Sequence, residues 1–242
     1  MTKTAIALTA VLLLPCLGAA RVPMSEPLPA GEPLTFSLDS TTRDPGDLWD
    51  VGTEEYYWVV NSWLAGEETY DVYADPAGCP ECQGGWKPVS VTFYLFWESA
   101  FAGSLSVSVG IREAASTSRD CQEPGASICM SDPMPVGPVA TPGLWAITLP
   151  LPDDAPLATE PFFATVLFHE TRDQLPALVT DRGPCAGCRS WNDWGEGPQE
   201  LCSHGFPGTL SIFTTLECQG ATPVETRSWT AIKCMYRTQA RQ

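Results

Sequence analysis

The stretch Gly103-Ser104-Leu105-Ser106-Val107-Ser108-Val109-Gly110-Ile111-Arg112 decides the fold class. Leu105, Val107, Val109 and Ile111 alternate with serine and glycine, and a period of two is that of a strand with one face buried. An amphipathic helix would space its apolar residues by three and four. Working backward, Val89, Val91, Phe93, Leu95 and Trp97 repeat the pattern, and Ala102-Gly103 supplies turn chemistry. A hairpin of residues 89–97 with 103–112 is therefore expected. The same reading predicts strands over 34–38, 56–64, 69–74, 144–149, 162–169, 177–180 and 209–216.

Between these segments 23 prolines and 20 glycines punctuate the chain, and no capped helical stripe of ten or more residues interrupts them. The expected fold is all-β, a two-sheet antiparallel β-sandwich of jelly-roll type with disulfide-stapled loops. A galactose-binding-like strand order is one form of it. Residues 114–142, rich in Ser, Pro and Cys, read as an excursion from the sheets, pinned locally by Cys121 and Cys129. With 242 residues, 44% of them hydrophobic, the chain suffices for one well-packed domain at the usual ~150 residues per domain.

The N-terminus places Lys3 before an apolar run from Ala5 to Leu14, then ends Gly18-Ala19-Ala20, the three parts of a secretory signal peptide. The predicted division is 1–20 signal peptide, 21–218 β-sandwich domain and 219–242 basic C-terminal tail. Export to the cell exterior or cell surface follows, without a membrane span, because the run is well short of the roughly 20 apolar residues a bilayer requires. Cys16 offers a competing reading as a lipidated cysteine, against which Pro15 argues. The whole chain carries 13 Lys and Arg against 29 Asp and Glu, a net charge of −16, so nucleic acid is a poor partner. Residues 219–242 reverse that sign, holding Glu225 against Arg227, Lys233, Arg237 and Arg241.

Beyond Cys16 there are nine cysteines, and in an exported protein their default fate is bonding. Cys79, Cys82, Cys121, Cys129, Cys185, Cys188, Cys202 and Cys218 are the disulfide candidates, with Cys234 as the odd thiol. Cys121 with Cys129 closes a short loop; the other six allow 15 connectivities. A competing reading takes Cys79-x-x-Cys82 and Cys185-x-x-Cys188 as the two halves of a four-thiolate zinc site. The 102 residues between those halves, against about 15–20 in compact zinc ribbons, speak against it.

Nine tryptophans are many for this length, and Trp49, Trp86, Trp191 and Trp194 adjoin turn residues. Trp191 and Trp194, with Asp193 and Glu196, are the candidate ligand-binding residues, since indoles stack on sugar faces while carboxylates bind hydroxyls. Asp39, Asp44, Asp47 and Asp50 are candidate ligands for a structural calcium ion, without EF-hand spacing. No other cofactor is expected. His169 and His204 are the two histidines, and no G-x-S-x-G, H-E-x-x-H or phosphate-loop pattern accompanies them. No catalytic residue is assigned.

The segment Ser190-Trp191-Asn192-Asp193-Trp194-Gly195, continuing through Gly205-Phe206-Pro207-Gly208 into the strand at 209–216, resembles a group of uncharacterised secreted bacterial proteins. These carry one β-sandwich domain behind a signal peptide. The tail, with Ser228-Trp229, Ile232-Lys233 and Tyr236-Arg237, resembles a short basic C-terminal W-x-x-I-K-x-x-Y-R segment of such exported proteins; Cys234 departs from it. The resemblance implies export and fold and says nothing about substrate. By its residues the tail is a proline-led linker and a basic segment with Trp229, Ile232 and Tyr236 spaced as one helical face, which reads equally as a signal engaging export or attachment machinery or as a helix packing on its own domain; on the first reading deletion of residues 223–242 is expected to reduce surface retention, measured by fractionating cells from medium.

The expected function is a secreted, non-catalytic extracellular or cell-surface module that binds carbohydrate or adheres, its partner a glycan or surface polymer. The alternatives are a structural component of the envelope or of an extracellular assembly and, ranked below it, a glycan-cleaving enzyme.

Overall fold

Strand alternation decides both layers of the molecule. The computed structural model describes residues 24–28, 31–38, 48–79, 82, 84–116, 121–169 and 175–219. Residues 1–23, which include Cys16 and the expected signal peptide, and residues 220–242, which include Cys234, lie outside the described residues. Among the described residues there are fifteen strands: β1 (Met24–Pro27), β2 (Leu34–Ser37), β3 (Leu48–Gly52), β4 (Trp58–Asn61), β5 (Glu68–Ala74), β6 (Trp86–Trp97), β7 (Leu105–Ser116), β8 (Gln122–Met130), β9 (Met134–Val136), β10 (Gly143–Pro150), β11 (Phe162–Phe168), β12 (Ala177–Thr180), β13 (Ser190–Asp193), β14 (Gln199–Glu200) and β15 (Ile212–Cys218). Each of the nine segments with a period-two pattern is among them.

One sheet has the order β1-β4-β12-β6-β10-β2, with β15 along β6 and β3 outside β15; the other runs β14-β13-β5-β11-β7-β8, with β9 also on β7. The two pack as a sandwich, as the patterning predicts. The pairings are antiparallel except β2 with β10, which is parallel. The inner faces meet through Val91, Phe93, Leu95, Ile147 and Leu216 of the first sheet and Val72, Val107, Val109, Val166 and Phe168 of the second, all buried. Each such side chain contributes about 1.5–3 kcal/mol by leaving water.

The expected hairpin does not form. β6 pairs with β10, β12 and β15 in one sheet, whereas β7 pairs with β8, β9 and β11 in the other. Residues 98–104 cross between the layers instead of turning within one. Phe101 is the reason: it is buried at 8% exposure, its backbone pairs with Val139, and its ring lies so near Gly103 that a Cβ there would meet it at 2.9 Å. An apolar anchor in the connection draws the chain into the core, which a two-residue surface turn cannot do.

Residues 114–142 are likewise not an excursion. β7 runs on to Ser116, and β8 and β9 both pair with it. The segment lacked a strand pattern because β8 is an edge strand with Ala126, Ser127 and Ile128 exposed and no buried face to alternate against. Pro124 and Gly125 are tolerated there for the same reason. Arg112 Nε donates to Gly125 O at 2.9 Å and ties the edge down.

Among the described residues there are three disulfides: Cys82–Cys218, Cys121–Cys188 and Cys185–Cys202. The local Cys121–Cys129 bridge is thereby corrected, since β8 extends between those residues and carries them apart. Cys129 is a half-buried thiol whose pKa burial raises. The four-thiolate zinc reading is corrected too, because Cys82, Cys185 and Cys188 each bond a different partner outside that set. Cys79 belongs to none of the three bridges; it follows the short 3-10 turn Pro76–Gly78, where its N–H donates to Pro76 O at 3.0 Å.

Candidate functional site

The four residues singled out for binding do not share a face. Trp191 lies on β13 opposite Asp71 and Glu200 and is 7% exposed. Trp194 turns inward, its ring centroid 5.5 Å from that of buried Trp63 and 6.0 Å from His204. Asp193 is engaged as a turn-former, Oδ1 accepting from Gly195 N at 2.7 Å and Gly197 N at 3.0 Å. Glu196 alone stands exposed, at the tip of that turn. The indoles therefore act as end caps of the core. Trp86, buried and edge-on to Trp49 at 6.0 Å, does the same at another corner.

An accessible aromatic array lies on the outer face of the first sheet. In β6 the odd residues Val91, Phe93 and Leu95 face the core, so the period of two sends Ser90, Thr92 and Tyr94 outward. β15 pairs Phe213 with Thr92 and Thr215 with Ser90, which brings Phe213 to the same face. Residues 53–57 run alongside, held by Thr53 N donating to Ile212 O at 2.9 Å and Tyr57 N to Thr180 O at 2.7 Å. The result is a continuous run of half-exposed rings. Tyr56 and Tyr94 have centroids 5.2 Å apart, Tyr94 and Phe213 6.3 Å apart, and both pairs are tilted by 38°. Gly52, opposite Phe213 in β3, keeps the array close to the sheet. Its φ is +131°, and a Cβ there would lie 2.6 Å from Ile212 O and 2.7 Å from Phe213 Cα.

Polar groups border the rings. Thr92 and Thr148 share a hydroxyl hydrogen bond at 2.9 Å, and Thr215 Oγ1 donates to Asp50 Oδ1 at 2.6 Å. Burial pushes the Glu54 carboxyl up to about 7, with the charge of Asp50 adding to the rise. The Tyr94 phenol is pushed up to about 12 by burial and then by Glu54, Tyr56 and Asp50. Such a surface offers stacking faces, hydroxyls and carboxylates together, the combination that holds a sugar ring by its apolar face and its rim. The sequence carried a signal for it: Tyr94 sits out of phase with the apolar residues of its own strand, as does Phe213 in the next.

Of the four calcium candidates one can be placed. Asp50 lies in β3, not in a loop, and accepts from Thr215; Asp39, Asp44 and Asp47 lie outside the described residues. Cys185, Cys202 and Glu200 come together in metal-ligand range, but the two sulfurs are bonded to each other. The Glu200 carboxylate caps the 3-10 turn Leu201–His204 by accepting from Cys202 N and Ser203 N. His169 Nε2 lies 2.9 Å from Ser108 Oγ, and that serine is only 1% exposed.

On the second sheet, Asp71 is fully buried between β11 and β13. Thr165 Oγ1 donates to its Oδ1, and Arg112 Nη1 lies 3.3 Å from Oδ2. Burial nevertheless raises this carboxyl to about 6. No helix among the described residues is long and apolar enough to cross a membrane.

A family model described as "Domain of unknown function (DUF7451)" matches residues 55–216, a stretch that encloses Tyr56, Tyr94 and Phe213. No curated protein matches. Among solved structures, the chain is similar to the cysteine protease and lectin-like domains of Cwp84, a surface layer associated protein of Clostridium difficile. The identity is 10% and the TM-score 0.44; the likeness covers 74% of this chain, which spans 37% of that one.

Proposed function

We infer the role of this chain from the premise that it belongs to the family described as Domain of unknown function (DUF7451): it is a non-catalytic module of the cell exterior that binds carbohydrate on the outer face of its first sheet. One observation carries the reading, the run Tyr56–Tyr94–Phe213 of half-exposed rings in mutual contact. Three adjoining aromatic rings at the surface are what stacking on successive sugars requires, and the bordering Thr148, Thr215 and Glu54 supply hydrogen-bonding groups for hydroxyls. Three disulfides favour an oxidising compartment. The acidic surplus supports a partner other than nucleic acid.

Retention on a panel of insoluble polysaccharides tests it. Wild-type protein is expected to be held by at least one of them, and Tyr94→Ala or Phe213→Ala to weaken retention roughly thirtyfold, the effect of truncating an aromatic anchor worth about 2 kcal/mol. Trp191→Phe, remote from the array, is expected to bind as wild type does. Oligosaccharides should leave the incubation with unchanged mass. Equal retention of wild type and Tyr94→Ala on every polymer would sink the assignment.

A further inference from the structure

We propose that the site takes a linear oligosaccharide of amino sugars, a chain of cationic glucosamine-type units, in preference to neutral or acidic glycans; this rests on the carbohydrate reading above. Two features of the array point there independently.

The first is its extent. Three rings with centroid spacings of 5.2 and 6.3 Å form a track rather than a single stacking post. Successive pyranose rings of an extended chain can each lie over one of them. A site for one terminal sugar needs one ring, whereas Tyr56, Tyr94 and Phe213 offer three adjoining ones.

The second is the sign of the charge around the track. Asp50, held by Thr215 Oγ1 at 2.6 Å two residues along β15 from Phe213, and Glu54, two residues before Tyr56, set carboxyls beside the track. Asp50 comes from β3, Glu54 and Tyr56 from the segment that follows it, and β6 and β10 contribute the uncharged Thr92 and Thr148. A uronic acid or sulfated chain would be repelled by these carboxyls in their ionised form. An ammonium group gains twice, from the carboxylates and from the negative faces of the rings, which attract cations within about 6 Å of their centroids. A neutral sugar gains the stacking and the hydroxyl hydrogen bonds but no attraction of charge.

The test is calorimetric titration of the whole protein at about pH 7, where the Glu54 carboxyl is about half ionised and a bound ammonium favours its charged form. The titrants are glucosamine hexamer, N-acetylglucosamine hexamer and a hexamer of uronic acid. The glucosamine hexamer is expected to bind about tenfold tighter than its acetylated counterpart, the uronic hexamer not measurably, and glucosamine alone much more weakly than its hexamer. Added salt should erode the preference, because exposed charges are screened over roughly 8–10 Å. In Glu54→Gln, and separately in the equally conservative Asp50→Asn, the ratio of the two affinities should fall toward one. Equal binding of the amino and acetylated hexamers, or a preference that survives both substitutions, overturns the amino-sugar assignment and leaves the carbohydrate reading standing. Binding of neither hexamer, with no polysaccharide retaining the protein, overturns both.

Discussion

Replacing Cys82 and Cys218 together by serine is expected to lower stability by about 5 kcal/mol, as much as many domains possess in total. The reason is the length of chain that the bridge closes. Cys82 and Cys218 are 136 residues apart, against 67 for Cys121–Cys188 and 17 for Cys185–Cys202. On the chain-entropy relation the three contribute about 5, 4 and 3 kcal/mol respectively. The first bridge also acts at a register-setting place: it ties the segment entering β6 to the end of β15, beside the pair Trp86–Cys218. Urea unfolding followed by tryptophan fluorescence, with each cysteine pair replaced in turn, measures the order. A smaller loss for the 136-residue closure than for the 17-residue one would show that loop entropy does not govern these staples.

Asp71→Ala is expected to cost about 3–5 kcal/mol, because it leaves the Arg112 guanidinium beside a buried void with its carboxylate removed. Asp71 also makes stability depend on pH in a direction unusual for an acid in an ion pair. Burial outweighs the hydrogen bond from Thr165 and the charge of Arg112, with Asp193 adding to the rise, so the folded-state value is about 6 against an ordinary value of 3.8. The folded protein therefore holds this proton more tightly than the unfolded chain does. The stabilisation is fully present below about pH 4 and is lost as pH rises through about 6. Glu54, raised to about 7, acts in the same direction. Thermal midpoints should accordingly fall between pH 5 and pH 8 in the wild type, and the fall should be shallower in Asp71→Asn, which keeps the shape and cannot titrate. A wild-type midpoint that rises over that interval would contradict this balance.

The alternation in β7 and β6 needed no partner to be visible, because a strand with one buried face writes its period into the chain. β8 was hidden by the same logic, since an edge strand exposed along Ala126–Ile128 has no face that must be apolar. Phe101 misled in another way: the dipeptide Ala102-Gly103 carries turn chemistry, yet the destination of the nearby aromatic ring decided which sheet received the next strand. At the candidate site the tryptophan cluster drew attention by composition. Trp191 and Trp194 are large and apolar, and the core took them; Tyr56, Tyr94 and Phe213 come from three separate segments and become neighbours only through pairing of β15 with β6 and the return of residues 53–57.

Local periodicity, read along the chain, was enough to determine the all-β class and the inward and outward phase of its main strands, because both depend on nearest neighbours and on burial of one face. Tertiary structure alone decided that Cys121 reaches Cys188, that β6 and β7 part company, and that three distant rings line one outer face. Those outcomes are set by which strands pair across dozens of residues, and a pattern with a period of two is satisfied equally well by any of the competing partners.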